Sequence, residues 1–184
     1  MSKSLIIGAV LLLIVLICIG AYNRLIRLNV SVDEAWAQIE VQLKRRSDLI
    51  PNLVETVKGY AAHEKTTLDA VVAARAKATS ATGIADVAAA DGAMTAALRG
   101  LLAVAEAYPD LKASANFLSL QDELATTENK VSFARQFYND NVRSLNSAVK
   151  TFPSNIFAGL AKIAARAFYE VEDPQDRKAP NVKF

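Results

Sequence analysis

Phe117–Phe152 reads FLSLQDELATTENKVSFARQFYNDNVRSLNSAVKTF, and within it Phe117, Leu124, Val131, Tyr138, Leu145 and Phe152 recur every seven residues. Leu120, Ala134, Val142 and Val149 fill the alternate positions, which makes one apolar seam along one face of a helix. The pattern implies a helix of about 40 residues, or about 60 Å at about 1.5 Å per residue. A seam of this length has to be covered by other helices, and the preceding sequence provides candidates.

Leu25, Leu28, Val32, Trp36, Ile39 and Leu43 alternate steps of three and four, so they share a helical face. Ser47-Asp48-Leu49-Ile50-Pro51 then combines capping side chains with a proline suited to a first turn, which predicts a tight helix–helix turn. A kinked but continuous helix competes with that reading, because the apolar phase carries on through Leu53 and Val57. A second helix is expected from about Pro51 to Ala78, ended by Ser80-Ala81-Thr82-Gly83. A third follows from near Asp86, with Ile84, Val87, Met94, Leu98, Leu101, Ala105 and Tyr108 as a seam that only Asp91 interrupts, and Tyr108-Pro109-Asp110 closes it. The expected fold is all-α: an N-terminal transmembrane helix continuing into an antiparallel four-helix up-down bundle, then a short amphipathic helix and an extended C-terminal tail. The corresponding segments are 1–23, 24–152 and 153–184.

The transmembrane expectation rests on Leu5–Tyr22, LIIGAVLLLIVLICIGAY, an uncharged run that nearly spans a hydrocarbon core of about 30 Å as a helix. Leu5, Ile6, Ile7, Leu11, Leu12, Leu13, Ile14, Val15, Leu16 and Ile17 are its anchor residues. The apolar stretch of a cleavable signal peptide is shorter, about 7 to 15 residues, and ends in small residues, whereas Ile19 stands ahead of Ala21. Ile17 likewise argues against a lipid-modified Cys18, since that motif wants a small residue before the cysteine. Lys3 flanks one side, while Arg24, Arg27, Lys44, Arg45 and Arg46 flank the other, so the charge bias leans towards a cytoplasmic C-terminal domain.

With 21 basic and 19 acidic residues interspersed, the chain carries no footprint for nucleic acid. Its only cysteine, Cys18, excludes an internal disulfide and a thiolate zinc cluster. His63-Glu64 resembles the start of a zinc-peptidase helix, but Thr67 stands where the second histidine belongs. One histidine cannot supply the Glu-x-x-His pairs of a di-iron bundle either, although Glu55, Glu64, Glu123 and Glu128 lie on helices. No phosphate loop or nucleophile elbow occurs. The expectation is no catalytic residue, no metal and no cofactor.

Four features remain as candidate contacts. Lys44-Arg45-Arg46 would complement the dipole at the end of the first helix, which needs no ligand. Thr127 or Glu128 crosses the seam of the fourth helix and, by antiparallel pairing, should form a buried polar layer near Trp36. Ser154–Ala167 reads as an amphipathic helix with Ile156, Phe157, Leu160, Ile163 and Ala164 on one side and Lys162 and Arg166 on the other, expected at the membrane interface, with docking on the bundle end as the alternative; the tail beyond Tyr169 should be extended and mobile. The third helix has small residues outside its seam, Ala85, Ala88, Ala89, Ala90, Ala96, Gly100 and Ala103 among them, which would admit a second copy at Ala89, Ala96 and Ala103. Alanine's helix propensity alone also accounts for such a run.

Several long stretches, YNRLIRL, VDEAWAQIEVQLKRRSDLIPNLVETVKGYAAHEK, YPDLKASANFLSLQDEL, TENKVSFARQFYND and FPSNIFAGL, resemble the LemA family of bacterial membrane proteins. The resemblance covers nearly all of the chain from Tyr22 onward. It implies an N-terminal membrane helix with a helical-bundle domain, the short N-terminus outside, and no catalytic residues to carry over. Through the neighbouring genes of some relatives it also implies an association with membrane proteolysis or envelope upkeep. Lys162-Ile163 departs from the family's Gly-Phe pair. The function expected is a non-enzymatic scaffold or self-assembling module at the bacterial inner membrane, with the lipid bilayer, copies of itself and other membrane proteins as partners. An adaptor of a membrane protease or another envelope enzyme is the alternative, and an enzyme with an unrecognised site stands behind both.

Overall fold

The computed structural model describes residues 2–170, apart from the side chains of Ser2 and Ser4. Of the tail beyond Tyr169, expected to be extended, residues 171–184 lie outside the described residues. Six helices follow one another: α1 (Ser2–Tyr60), α2 (Lys65–Ser80), α3 (Ile84–Glu106), α4 (Pro109–Lys112), α5 (Ala115–Lys150) and α6 (Ser154–Leu160). No strand occurs among the described residues.

The predicted turn at 47–51 is absent, and α1 runs through Pro51 without interruption. Two local facts explain this. Ile50, Leu53 and Val57 continue the inward phase and are at most 1% exposed, while Pro51 lies on the outer side. The proline ring also removes the N–H that would have reached the Ser47 carbonyl, and Arg75 Nε of α2 donates to that carbonyl instead, at 3.1 Å. The far end of α1 therefore packs into a core of its own. The chain reverses after Tyr60 instead, through Ala61–Glu64.

Contacts divide the chain into two compact units. One comprises α1 up to Ile39 and the chain from Ala134 to Phe168. In it Leu25, Val32, Ala35 and Ile39 are buried, as are Ala134, Tyr138, Val142, Leu145 and Ala148 of α5. Trp36 meets Tyr138 edge to face with ring centres 5.7 Å apart, and Tyr22 meets Phe157 at 6.4 Å. Partners on the C-terminal side thus rise in number as those on α1 fall, so α1 and the returning chain run in opposite directions.

The other unit contains Glu40–Phe133 together with Tyr169. Its core draws Ile50, Leu53 and Val57 from α1, Leu68 and Val71 from α2, Met94, Leu98 and Leu101 from α3, Leu111 from α4, and Phe117 and Leu124 from α5. Gly83, at φ +83°, makes the α2–α3 turn in a conformation that other residues rarely adopt. Ala88 and Ala90, read above as lying outside the α3 seam, are buried.

Two other expectations need correction. Phe152 continues the heptad count but is 79% exposed, because α5 ends at Lys150 ahead of Pro153, which disfavours helix in the residue before it. The amphipathic helix stops at Leu160 rather than Ala167. Lys162 is left-handed (φ 53°), and the Ile163 N–H donates to the Ala158 carbonyl at 2.9 Å, the six-to-one bond that closes a helix C-terminus. Ile163 therefore lies beyond the helix.

Candidate functional site

The densest polar arrangement is buried in the second unit. Arg46 is 3% exposed on α1 and ion-paired with Asp91 of α3 and Glu128 of α5. Its Nη1 also donates to Thr95 Oγ1 at 3.3 Å and its Nη2 to the Asp91 carbonyl at 3.4 Å. The Tyr169 hydroxyl donates to the other Asp91 carboxylate oxygen at 2.6 Å. One guanidinium fork thus ties three helices to the chain that follows α6, and its charge is matched locally.

Beside this cluster lies a cavity of about 510 Å³. Leu43, Ala78, Val87 and Met94 supply apolar wall, and Glu40, Lys44 and Arg75 supply charge. Lys44 is paired with Asp48 at 2.8 Å, one turn further along α1.

The basic trio Lys44-Arg45-Arg46 does not sit at a helix end, because α1 continues for more than a dozen residues. Lys44 and Arg45 are exposed and Arg46 is turned inward. The buried Thr127 donates its hydroxyl to the Glu123 carbonyl at 2.7 Å within α5, while Glu128 takes Arg46. Trp36 meets the ring of Tyr138. The inward pairing of Arg46 with Asp91, and the part of Tyr169 in it, were missed by the sequence reading. The signal existed for the first two, since Arg46 falls in phase with Leu43 and Ile50, and Asp91 interrupts the α3 seam.

His63 is exposed in the α1–α2 turn, next to Glu64, which accepts the Tyr108 hydroxyl at 3.1 Å. That hydrogen bond, with burial and the Glu64 charge behind it, raises the Tyr108 phenol above its ordinary value. Among the described residues no three of His, Cys, Asp and Glu come together as a metal-ligating group.

The anchor residues Leu5, Ile6, Ile7 and Leu11 to Ile17 are all exposed. Two helices, α1 and α3, are long and apolar enough to cross a membrane, although a core helix of a water-soluble domain passes the same test as α3. Ala89, Ala96 and Ala103 are exposed on one face of α3. Of the residues expected at the membrane interface, Ile156 and Leu160 are exposed, Phe157 is half-buried against Tyr22, and Ile163 is half-buried past the helix. After α6 the chain is held by side chains. Asn146 donates to the Arg166 carbonyl (2.9 Å) and accepts its N–H (2.8 Å), Arg166 reaches Asp33 (3.0 Å) and Asn29 (3.3 Å), and the Tyr138 hydroxyl donates to the Ala167 carbonyl (3.0 Å).

Comparison with known proteins adds a family. The family model described as "LemA family" matches residues 35–184. The chain is also similar to "Protein LemA" of Metamycoplasma hominis, at 28% identity over 141 residues, covering 76% of this chain and 64% of that protein. The chain therefore spans less than two thirds of that curated relative.

Proposed function

We propose that this chain, which belongs to the LemA family, is a membrane-anchored, non-enzymatic scaffold of the bacterial inner membrane, with its helical bundle on the cytoplasmic side and assembled from copies of itself. The observation that carries this reading is the continuity of α1. Its uncharged first part leaves every large side chain from Leu5 to Ile17 uncovered, while its later part supplies Ile50, Leu53 and Val57 to a core. An apolar surface of that extent needs a bilayer or another protein over it. One helix thus joins the anchor to a core without an intervening loop, which suits a scaffold. The exposed Ala89, Ala96 and Ala103 on α3 support close approach by a second copy.

The adaptor reading is favoured by one feature, the partly apolar cavity beside Lys44 and Arg75, which has room for side chains of a partner. Crosslinking in intact membranes followed by native mass measurement after detergent extraction tests the two. Dominant self-crosslinks and a mass of several copies support the scaffold. A dominant heterologous enzyme overturns it in favour of the adaptor, and release from membranes by a carbonate wash overturns the anchor.

A further inference from the structure

α6 wears its apolar side outward. Its buried residues, Ser154 and Ala158, are one turn apart and face the protein. Ile156 and Leu160, also one turn apart, lie two positions away, about 200° around the helix, and are 54% and 75% exposed. Phe152, four residues before Ile156, is exposed as well. An ordinary surface helix has the opposite arrangement, with its large apolar residues inward.

The position of α6 along α1 says what covers that side. Phe157 contacts the ring of Tyr22, and Tyr22 is the last residue of the uncharged run, where an aromatic residue suits the membrane–water boundary. The first residue of α1 to be completely buried, Leu25, comes three positions later. Arg24 and Arg27, both exposed, follow within two turns of Tyr22, at the depth of lipid headgroups.

We infer that α6 with Phe152 forms a second membrane contact, in which Phe152, Ile156 and Leu160 enter the boundary between headgroups and acyl chains beside the point where α1 emerges. This rests on the reading of α1 as a membrane anchor. The contact fixes the domain against the bilayer at two places, so that α1 cannot swivel freely about its axis. Phe157 belongs to the joint with α1 and not to the inserted face.

The full chain, with Cys18→Ser and single nitroxide-labelled cysteines in place of Leu12, Gln121, Ile156 or Leu160, is reconstituted into phosphatidylcholine–phosphatidylglycerol vesicles. Collision with lipid-soluble oxygen is compared with collision with a water-soluble nickel chelate. The labels at 156 and 160 are expected to favour oxygen over nickel several-fold more than the label at the exposed position 121, as the label at 12 does. Labels at 156 and 160 that match position 121, beside a lipid-exposed position 12, overturn the contact and leave the anchor standing. Labels excluded from both reagents mean that protein covers the face, which overturns it too. A water-exposed position 12 overturns the anchor and this contact together.

Discussion

Two arginine–aspartate pairs serve different parts of this chain under different conditions. In one unit Arg46 and Asp91 are 3% and 1% exposed, surrounded by Thr95, Glu128 and Tyr169. In the other, Arg166 and Asp33 meet at 3.0 Å with 41% and 56% of their side chains exposed. The chemistry is the same and the solvent is not. Water screens the exposed pair and replaces either partner when the other is lost. The buried pair has given up its hydration, so each member depends on the other, on the Thr95 oxygen that accepts from Arg46 and on the Tyr169 hydroxyl that donates to Asp91. Losing one member alone is therefore costlier than replacing both.

The largest effect expected follows from removing one side of the buried pair. Arg46→Met should cost about 3–5 kcal/mol, because Asp91 keeps the Tyr169 hydroxyl but loses its cation in a site with little water. Guanidinium titration of the detergent-solubilised protein reads this directly. Adding Asp91→Leu to Arg46→Met should recover most of the loss, since Glu128 is partly exposed and can be rehydrated. A double variant as unstable as the single one would locate the cost in lost packing rather than in charge. Tyr169→Phe comes next, at about 1.5–3 kcal/mol, the range for a hydrogen bond to a charged group. A loss of that size should accompany easier proteolysis after α6, because Tyr169 ties that stretch to Asp91.

Most of the helical content was legible from the spacing of apolar residues. The α5 seam is the clearest case, with Phe117, Leu124, Val131, Tyr138 and Leu145 all buried as the seven-residue count requires. What failed were the boundaries. Pro51 looked like a helix start because the proline signal is local, whereas the Arg75 donor that makes it tolerable inside α1 comes from another helix. The inward roles of Arg46 and Asp91 were discounted for a related reason. Each charge read alone is a surface residue or an interruption, and only the pairing of two inward phases makes them a buried site. Tyr169 left no periodic signal, since it lies in a stretch without regular secondary structure, where neither helical nor strand spacing applies.

A smaller effect, of opposite sign, is expected at Lys162, which precedes the stretch holding Arg166. Its left-handed backbone costs a non-glycine residue about 1 kcal/mol. Lys162→Gly should raise the denaturation midpoint by an amount equivalent to about that energy, with an unchanged slope. A lowered midpoint would mean that the lysine side chain has a stabilising role of its own.

The exposed pair should give the smallest change. Asp33→Asn is expected to cost about 0.2–1 kcal/mol at low salt and less at high salt, since both charges are reached by water. A second readout comes from the nearby Tyr138, whose phenol is held above its ordinary value by burial, with Arg166 opposing and the Asp33 charge adding to the rise. Because the folded value is raised, the stabilisation linked to this proton is fully present below about pH 10 and lost as pH climbs through the folded value. Removing the Asp33 charge should move the Tyr138 phenolate absorbance to lower pH while burial keeps it above an ordinary tyrosine, and the alkaline loss of stability should be smaller and complete at a lower pH. An Asp33→Asn protein that loses as much stability as Arg46→Met, independently of salt, would show that exposure does not separate the two pairs.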